Sequence, residues 1–359
     1  MLLRDVLTLL ATAQVVTADS SHPVHFRKVN ASTARSISAY KNLTLHGDGT
    51  LVNEQGFWFS HFSVGASRNL EMLINTGSSD AILNPGVYDP SSASRDQKRD
   101  FHISYATAKP DGSGKLSASG KVYLDVVTQL GANLTVLQQG IGLIDKPKKT
   151  PTFPHDGIIG FAGERGASLR EKPFILSLCA THALSACRFG LSLRTNGTGQ
   201  LHYGTVATDE FAGALTTVKT ARGRLWSVKG DVTVNRDRIY IGLPLVTDSG
   251  TTAIFGPSSL VRKVFQAARI KEVKTENGYE GRFNCSDAPT IGFRIGRKIF
   301  NIDPKALAFK KDGDNCTASL FGMHKKFGDR WILGQAFFQG RYIDHNAENK
   351  TMGFANLKE

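Results

Sequence analysis

The sequence predicts an all-β protein with two homologous β-rich lobes and a cleft between them. The first observation behind this prediction is length, because 359 residues exceed what one hydrophobic core usually serves. The second is composition, since 21 Phe and 36 Gly against 4 Met suit strands joined by tight turns better than a helical bundle. The third is an internal repeat, in which one motif occurs twice at matched spacing.

The repeat begins in each half with an apolar pair that runs into a polar turn. Residues 73–79 read Leu-Ile-Asn-Thr-Gly-Ser-Ser, and residues 245–252 read Leu-Val-Thr-Asp-Ser-Gly-Thr-Thr. An apolar pair and a glycine follow at 158–160 and at 332–334, at nearly equal distances from the two turns. Two coincident motifs at matched spacing indicate two homologous lobes, each placing one loop at a shared interface.

The residue types in these loops are typical of acid–base chemistry. Two carboxylates that face each other around one water molecule share a proton, because like charges so close cannot both ionise. A glycine in each loop lets the backbone pass close to its counterpart or to a ligand. The second loop carries Asp248, whereas the corresponding residue of the first loop is Asn75.

In this order and spacing, the motifs resemble those of pepsin-like aspartic peptidases over about residues 50–357. Residues 75–79 are similar to the Asp-Thr-Gly-Ser-Ser signature of that family, and residues 248–252 are similar to its second signature. Four further segments match in order, at 88–92, 101–105, 156–161 and 331–334. The resemblance implies the bilobal pepsin-like fold and peptide-bond hydrolysis by a water activated between two aspartate positions.

The resemblance also implies roles for individual residues. Asp248 is then the remaining catalytic aspartate, and Asn75 occupies the position of the first one. The residues expected to bind substrate are Tyr105, Gly77, Gly250 and Thr252. Of these, Tyr105 is expected to close over the substrate from the flap. Thr76 and Ser249 are expected to form a hydrogen-bonded bridge between the two loops. Ser78 and Thr251 are expected to support the two catalytic positions. No cofactor and no metal are expected.

Asn75 is the main departure from the family pattern. An amide can neither ionise nor share a proton, and loss of a general acid–base group typically costs roughly 10²–10⁴ in rate. We expect the pKa of Asp248 to fall toward its ordinary value without a like-charged neighbour. Other departures are the absence of a Trp at 80–83, extra flap residues around 108–110, and Gln335 where an Asp is usual.

These departures leave three hypotheses open. The first is a family member that binds extended peptides between its lobes and hydrolyses them poorly or not at all. The second is an active endopeptidase in which Asn75 was introduced deliberately. The third is a non-catalytic peptide-binding or cell-surface interaction protein on the same fold. In each, the expected partner is a polypeptide substrate or peptide ligand in the cleft.

Targeting signals divide the chain further. Residues 1–18 are typical of a signal peptide, and 19–50 of a basic leader or short pro-segment. The predicted N-terminal lobe spans 51–213 and the C-terminal lobe 214–359. Glycosylation is predicted at some of seven Asn-x-Ser/Thr sequons, at Asn30, Asn42, Asn133, Asn196, Asn284, Asn315 and Asn349. We therefore expect a secreted protein, with a vacuolar or lysosome-like compartment as the less favoured location.

Four cysteines, an even number, agree with an oxidising compartment. They allow three pairings, of which we favour Cys179–Cys187 and Cys285–Cys316, because short local loops close most easily. The second pair also lies where the resemblance places a disulfide of the C-terminal lobe. Metal binding is the alternative, but the sequence has no Cys-x2-Cys spacing.

The net charge is +13, with basic residues spread along the chain among acidic ones. This pattern favours a generally basic surface over nucleic-acid binding, which a basic stripe or a recognised motif would support better. Attraction to anionic glycans or membrane surfaces stays open. No segment after the signal peptide approaches the ~20 apolar residues of a membrane helix, so no membrane span is expected. We expect a monomer.

Overall fold

The computed structural model describes residues 21–27, 57–105, 116–145, 153, 155–276, 278–323 and 328–358, the first of these ranges only as backbone. The predicted signal peptide, the sequons Asn30 and Asn42, and the flap residues 108–110 lie outside this part of the chain. No helix within it is long and apolar enough to cross a membrane.

The described chain is mostly β-strand, so the predicted all-β class is confirmed. Its strands are β1 Ser21–Arg27, β2 Phe57–Val64, β3 Ser67–Asn75, β4 Ala81–Leu83, β5 Arg95–Tyr105, β6 Leu116–Gln129, β7 Leu134–Ile144, β8 Gly157–Gly160, β9 Arg188–Leu193, β10 Thr198–Tyr203, β11 Thr216–Lys219, β12 Ser227–Val234, β13 Asp237–Thr247, β14 Ile254–Pro257, β15 Lys271–Thr275, β16 Gly278–Asn284, β17 Ile291–Ile295, β18 Lys298–Asn301, β19 Ala308–Asp312, β20 Asn315–Met323, β21 Trp331–Leu333, β22 Arg341–Asn346 and β23 Thr351–Asn356. The helices are α1 Phe174–Ala180, α2 Ser258–Ala267, α3 Pro304–Leu307 and α4 Gln335–Phe338, together with a 3₁₀ turn at Glu164–Gly166.

The internal repeat is visible as two copies of one strand arrangement. In the first copy, β3 runs parallel to β8, and β4 runs antiparallel to β8. In the second copy, β13 runs parallel to β21, and β14 runs antiparallel to β21. The polar loop of each repeat therefore connects two strands that both pair with the same third strand. In the first copy it leads from β3 to β4, and in the second from β13 to β14.

The strands form one sheet of thirteen and one of ten. The thirteen-stranded sheet holds β1–β10 together with β11, β22 and β23, which come from the second half of the chain. Antiparallel pairing of β9 with β22 joins the two halves. The two predicted lobes thus share a sheet, and the lobe boundary at 213/214 stays a prediction.

Strand β1 was not predicted, because the sequence of residues 19–50 indicates only a basic leader. In the structure it lies between β10 and β2, antiparallel to both, with Ser21 opposite His202 and His25 opposite Phe59. A short segment of this composition has no strong strand signal of its own, and its partners are at least thirty residues away along the chain.

Apolar packing fixes how the elements sit on the sheets. Helix α2 packs through one face, on which Val261, Val264 and Phe265 are fully buried. Both favoured disulfides are present: Cys179–Cys187 links α1 to the start of β9, and Cys285–Cys316 links the end of β16 to β20.

Candidate functional site

The two polar loops of the repeat meet between the sheets, each anchored by its strand. Asn75 is the last residue of β3, and its carbonyl accepts a hydrogen bond from Phe161 N–H at 2.7 Å. Asp248 directly follows β13, and its N–H donates to the Leu333 carbonyl at 3.0 Å. Each bond ties its loop to the parallel neighbour of its own strand, β8 in the first repeat and β21 in the second.

A bridge of hydrogen bonds couples one loop to the other. The N–H groups of Thr76 and Ser249 each donate to the hydroxyl oxygen of the other residue, both at 3.0 Å. The hydroxyls donate onward to backbone carbonyls of the opposite loop, that of Thr76 to Thr247 at 3.1 Å and that of Ser249 to Ile74 at 2.8 Å. All of these groups are buried, so the relative position of the loops is strongly restrained.

The two glycines let each loop lie directly against the key side chain of the other. A Cβ atom added at Gly77 would be 2.3 Å from Cγ of Asp248, and one added at Gly250 would be 2.5 Å from Cγ of Asn75. Real Cβ atoms are not found that close to other atoms. The close approach of Asn75 and Asp248 therefore requires glycine at both positions.

The hydrogen bonds around the two side chains are similar but not equal. Gly77 N–H donates to Asn75 Oδ1 at 2.7 Å, and Gly250 N–H donates to Asp248 Oδ1 at 2.9 Å. The second oxygen of Asp248 accepts from the Thr251 hydroxyl at 2.6 Å. Ser78, which corresponds to Thr251, makes no such bond to Asn75. The second polar atom of Asn75 is an amide nitrogen, which cannot accept it.

Burial raises the pKa of Asp248 above its ordinary value. Hydrogen bonds from Thr251, Gly250 and Gly77 oppose this shift but do not cancel it. The expectation that this pKa would fall toward its ordinary value is therefore wrong. A like-charged neighbour is indeed missing, but removal of the carboxyl group from water disfavours its charged form on its own.

Tyr105, at the end of β5, has a support that the sequence did not indicate. Its ring packs edge-on against Phe153, with ring centroids 5.2 Å apart. Asn84 holds the backbone of Phe153 at both ends, donating to its carbonyl and accepting from its N–H, each at 2.8 Å. Ile82, in the segment where a Trp was sought, is buried in the same apolar cluster. An aromatic contact from another loop thus supports the tyrosine.

A cavity of about 560 Å³ opens beside the loops. Of the ten predicted site residues, Gly77, Ser78 and Tyr105 line it, whereas the other seven, Asn75 and Asp248 among them, do not. Thr252 is only 6% exposed, so it is placed for packing rather than for contact with a ligand in this cavity. Ser79 and Asp80, which continue the first loop, also contribute to the lining.

Three buried residues near the loops were not predicted as part of the site. Asp80 accepts hydrogen bonds from the N–H groups of Ser168 and Leu169, and burial raises its pKa. Gln335 donates to the Ser249 carbonyl at 3.2 Å, and Trp226 donates to the Phe161 carbonyl at 2.7 Å. The only sequence signal for any of them was the departure noted at Gln335.

Comparisons with known proteins agree with this geometry. A family model described as "Eukaryotic aspartyl protease" matches residues 57–357. Secreted aspartyl protease 1 of Malassezia globosa is 26% identical over 308 residues, covering 85% of this chain and 74% of that protein. Chymosin of Camelus dromedarius is 28% identical over 316 residues, covering 83% and 80%. The crystal structure of an aspartic proteinase from Irpex lacteus superimposes with a TM-score of 0.72 at 18% identity, over 85% of this chain and 95% of that one. This chain belongs to the eukaryotic aspartyl protease family.

Proposed function

We propose that this protein binds extended peptides in the cleft between its two loops and hydrolyses them slowly or not at all. The observation that carries the proposal is the side chain of Asn75. Its Oδ1 already accepts the Gly77 N–H, and its other polar atom is an amide nitrogen, which only donates. The position that faces Asp248 therefore has no proton acceptor.

The chemistry of hydrolysis explains why this matters. Attack of water on a peptide carbonyl needs a base that takes a proton from the water and an acid that gives one to the carbonyl oxygen. Two carboxylates sharing a proton supply both at once. Asp248 alone can act as the base or as the acid, and the Asn75 amide forms hydrogen bonds but neither takes up nor releases a proton. The lytic water thus loses half of its activation.

Peptide binding depends on features that Asn75 leaves in place. The bridge between Thr76 and Ser249 holds the loops together, and Tyr105 keeps its aromatic support from Phe153. An amide has nearly the shape of a carboxyl group and still forms hydrogen bonds. The second candidate function, a non-catalytic peptide-binding or surface-interaction protein, draws on the same combination of an intact cleft and an incomplete acid pair.

We also propose that the protein is secreted and glycosylated. The relative from Malassezia globosa is named a secreted protease, and the two disulfides suit an oxidising compartment. The sequon asparagines in the described part of the chain are all exposed: Asn133, Asn196, Asn284, Asn315 and Asn349. Mass spectrometry of the secreted protein before and after removal of N-glycans tests this part.

Peptide binding is tested with a statine-containing peptide, a mimic of the tetrahedral intermediate, by calorimetry and thermal shift between pH 3 and 6. We expect measurable binding that Tyr105→Ala weakens. Tyr279→Ala is the matched control, because Tyr279 lies on the β15–β16 hairpin of the other sheet and packs under Arg262. Absence of both a calorimetric signal and a thermal shift at every pH would mean that the cleft is blocked and would overturn the proposal.

A further inference from the structure

The cavity that Tyr105 lines also carries three arginines, Arg222, Arg224 and Arg330. All three are exposed. A peptide that enters the cleft past Tyr105 therefore meets a concentration of positive charge, and this feature plays no part in the chemistry of Asn75 and Asp248.

The three arginines come to this cavity from two separate parts of the chain. Arg222 and Arg224 belong to the loop that leads into β12, closed by a hydrogen bond from Ala221 N–H to the Ser227 carbonyl at 2.7 Å. Strand β12 pairs with β13, which in turn pairs with β21 through Leu245 and Trp331. Arg330 directly precedes Trp331, the first residue of β21, and it reaches the same cavity lining as Arg222 and Arg224.

The loop at 163–168 fixes where this arginine loop lies relative to the site. A Cβ atom added at Gly166 would be 2.8 Å from the Ser79 hydroxyl oxygen and 3.9 Å from Cβ of Arg224. Gly166 thus packs between the first polar loop and the arginine loop. Arg224 therefore lies near the segment that carries Ser79 and Asp80, with Gly166 between them.

The three arginines have no acidic partner in the part of the chain that the structure describes. Other surface arginines do, as in the bidentate pair of Arg262 with Glu272. None of the described salt bridges includes Arg222, Arg224 or Arg330. Such unpaired guanidinium groups are suited to hold a carboxylate by paired N–H donors.

Asp80 is the acidic residue of the cavity lining, and it does not neutralise the arginines. Its two oxygens are occupied by the N–H groups of Ser168 and Leu169, and the residue is only 3% exposed. A carboxylate on a bound peptide would thus meet guanidinium groups rather than a competing acid at the cavity surface.

We propose that the cleft selects peptides that carry an Asp or Glu side chain at the position reaching this cavity, where Arg222, Arg224 and Arg330 bind its carboxylate. The inference rests on the proposed peptide-binding function and names the substrate class for the same site. An acidic subsite adds charge recognition to the apolar and backbone contacts that a cleft of this kind makes with an extended chain.

The test uses pairs of statine-containing octapeptides that differ only by Glu or Gln, with the changed residue moved along the peptide from pair to pair. Binding to the glycosylated, disulfide-bonded protein is measured by fluorescence anisotropy at pH 5.5, where a peptide Glu is ionised. An exposed ion pair changes an affinity by up to about fivefold. With two arginines engaged, we expect the Glu peptide to bind roughly tenfold more tightly than its Gln partner at one or two positions.

Variants locate the effect. Arg222→Gln, Arg224→Gln and Arg330→Gln, singly and combined, should lower the Glu-to-Gln affinity ratio toward one. Arg297→Gln is the matched control, because it removes the same charge from an exposed turn between β17 and β18 and should leave the ratio unchanged. Raising the salt concentration to 1 M should reduce the Glu-to-Gln affinity ratio of the unaltered protein, because salt screens exposed charges. This measurement does not depend on whether any variant folds.

The possible outcomes separate this inference from the function on which it rests. Equal binding of the Glu and Gln members of every pair would overturn the acidic subsite while leaving peptide binding established. A preference that Arg297→Gln reduces as much as the cavity variants would also overturn it, because net charge would then be the cause. Absence of binding by both members of every pair would overturn peptide binding and the subsite together.

Discussion

Thr76 and Ser249 exchange hydrogen bonds across the two loops, each giving its backbone N–H to the hydroxyl oxygen of the other at 3.0 Å. Both residues are fully buried. Because the bonds involve neither Asn75 nor Asp248, the geometry of the site does not depend on which polar group occupies the position of Asn75. The proposed peptide-binding cleft therefore does not require a carboxylate at the position of Asn75.

Thr76→Val should lower the free energy of unfolding by roughly 2–4 kcal/mol. The substitution removes the hydroxyl that accepts from Ser249 N–H and donates to the Thr247 carbonyl, and it leaves both groups buried without a partner. Thermal and urea unfolding measure the loss. Thr220→Val is the control, since its hydroxyl bonds to the Lys350 carbonyl at an exposed site. Equal small losses in both variants would show that the bridge contributes little.

Gly250→Ala should abolish binding of the statine peptide and destabilise the protein by about 1–3 kcal/mol. The new Cβ atom would lie within 2.6 Å of all three terminal atoms of the Asn75 side chain, so the two loops would have to separate. Gly163→Ala is matched to it, because a Cβ atom there would be 3.5 Å from the nearest atom, an ordinary contact, and the φ angle of −73° is not left-handed. If Gly250→Ala bound the peptide as well as Gly163→Ala does, the close approach of the loops would not be required.

The repeated motifs were enough to predict the two-lobed all-β fold and the meeting of Asn75, Thr76, Ser249 and Asp248. Each of these residues belongs to a local pattern with a counterpart at matched spacing. The contacts of Phe153 and Trp226 could not be predicted in this way. They arise from residues more than forty positions away along the chain, and only the folded sheets bring these partners together.

The pKa of Asp248 could not be predicted for a related reason. The sequence shows which charged neighbour is missing, but the depth of burial that raises this pKa depends on how the two sheets pack. Strand β1 was missed because its strand character comes from pairing with β2 and β10 rather than from its own composition. The three cavity arginines likewise come from segments about a hundred residues apart, and only the folded chain brings them to one cavity.

Phe153→Ala should weaken binding of the statine peptide by roughly threefold to tenfold, because an aromatic pair of this kind contributes about 0.5–1.5 kcal/mol. The change removes the ring that supports Tyr105. Phe153→Tyr keeps the ring and should bind nearly as well. Anisotropy titrations of both variants provide the comparison. An unchanged affinity in Phe153→Ala would show that Tyr105 keeps its position without this contact.

His345 should make the protein less stable as the pH falls from about 6.5 toward 3. Burial lowers its pKa to about 3, and it lies stacked on Phe189 with ring centroids 4.4 Å apart. Below about pH 6.5 the histidine is protonated in the unfolded chain, whereas in the folded protein it stays neutral down to about pH 3. The free energy of unfolding therefore decreases as the pH falls from about 6.5 to about 3. Each pKa unit of difference corresponds to about 1.4 kcal/mol.

His345→Phe isolates this contribution. The substitution keeps a ring in the stack and removes the titrating group, so its stability relative to the unaltered protein should improve by several kcal/mol between pH 7 and pH 4. Urea unfolding measures the difference in free energy of unfolding between the variant and the unaltered protein at each pH. The change in this difference between pH 7 and pH 4 removes the effect of altered packing, which is the same at both pH values. A variant whose relative stability is the same at pH 7 and pH 4 would contradict the burial of a neutral His345.

The need for a second carboxylate is tested by cleavage of an unfolded protein between pH 2.5 and 6, comparing the unaltered chain with three variants after removal of any pro-segment. We expect Asn75→Asp to cleave with a bell-shaped pH profile, because the restored pair shares a proton and has one low and one raised pKa. The unaltered chain and Asp248→Asn should be nearly inactive. The double variant Asn75→Asp with Asp248→Asn, which carries one carboxylate like the unaltered chain, should be inactive too. Strong cleavage by the unaltered chain that survives Asp248→Asn, or no gain from Asn75→Asp, would contradict the account.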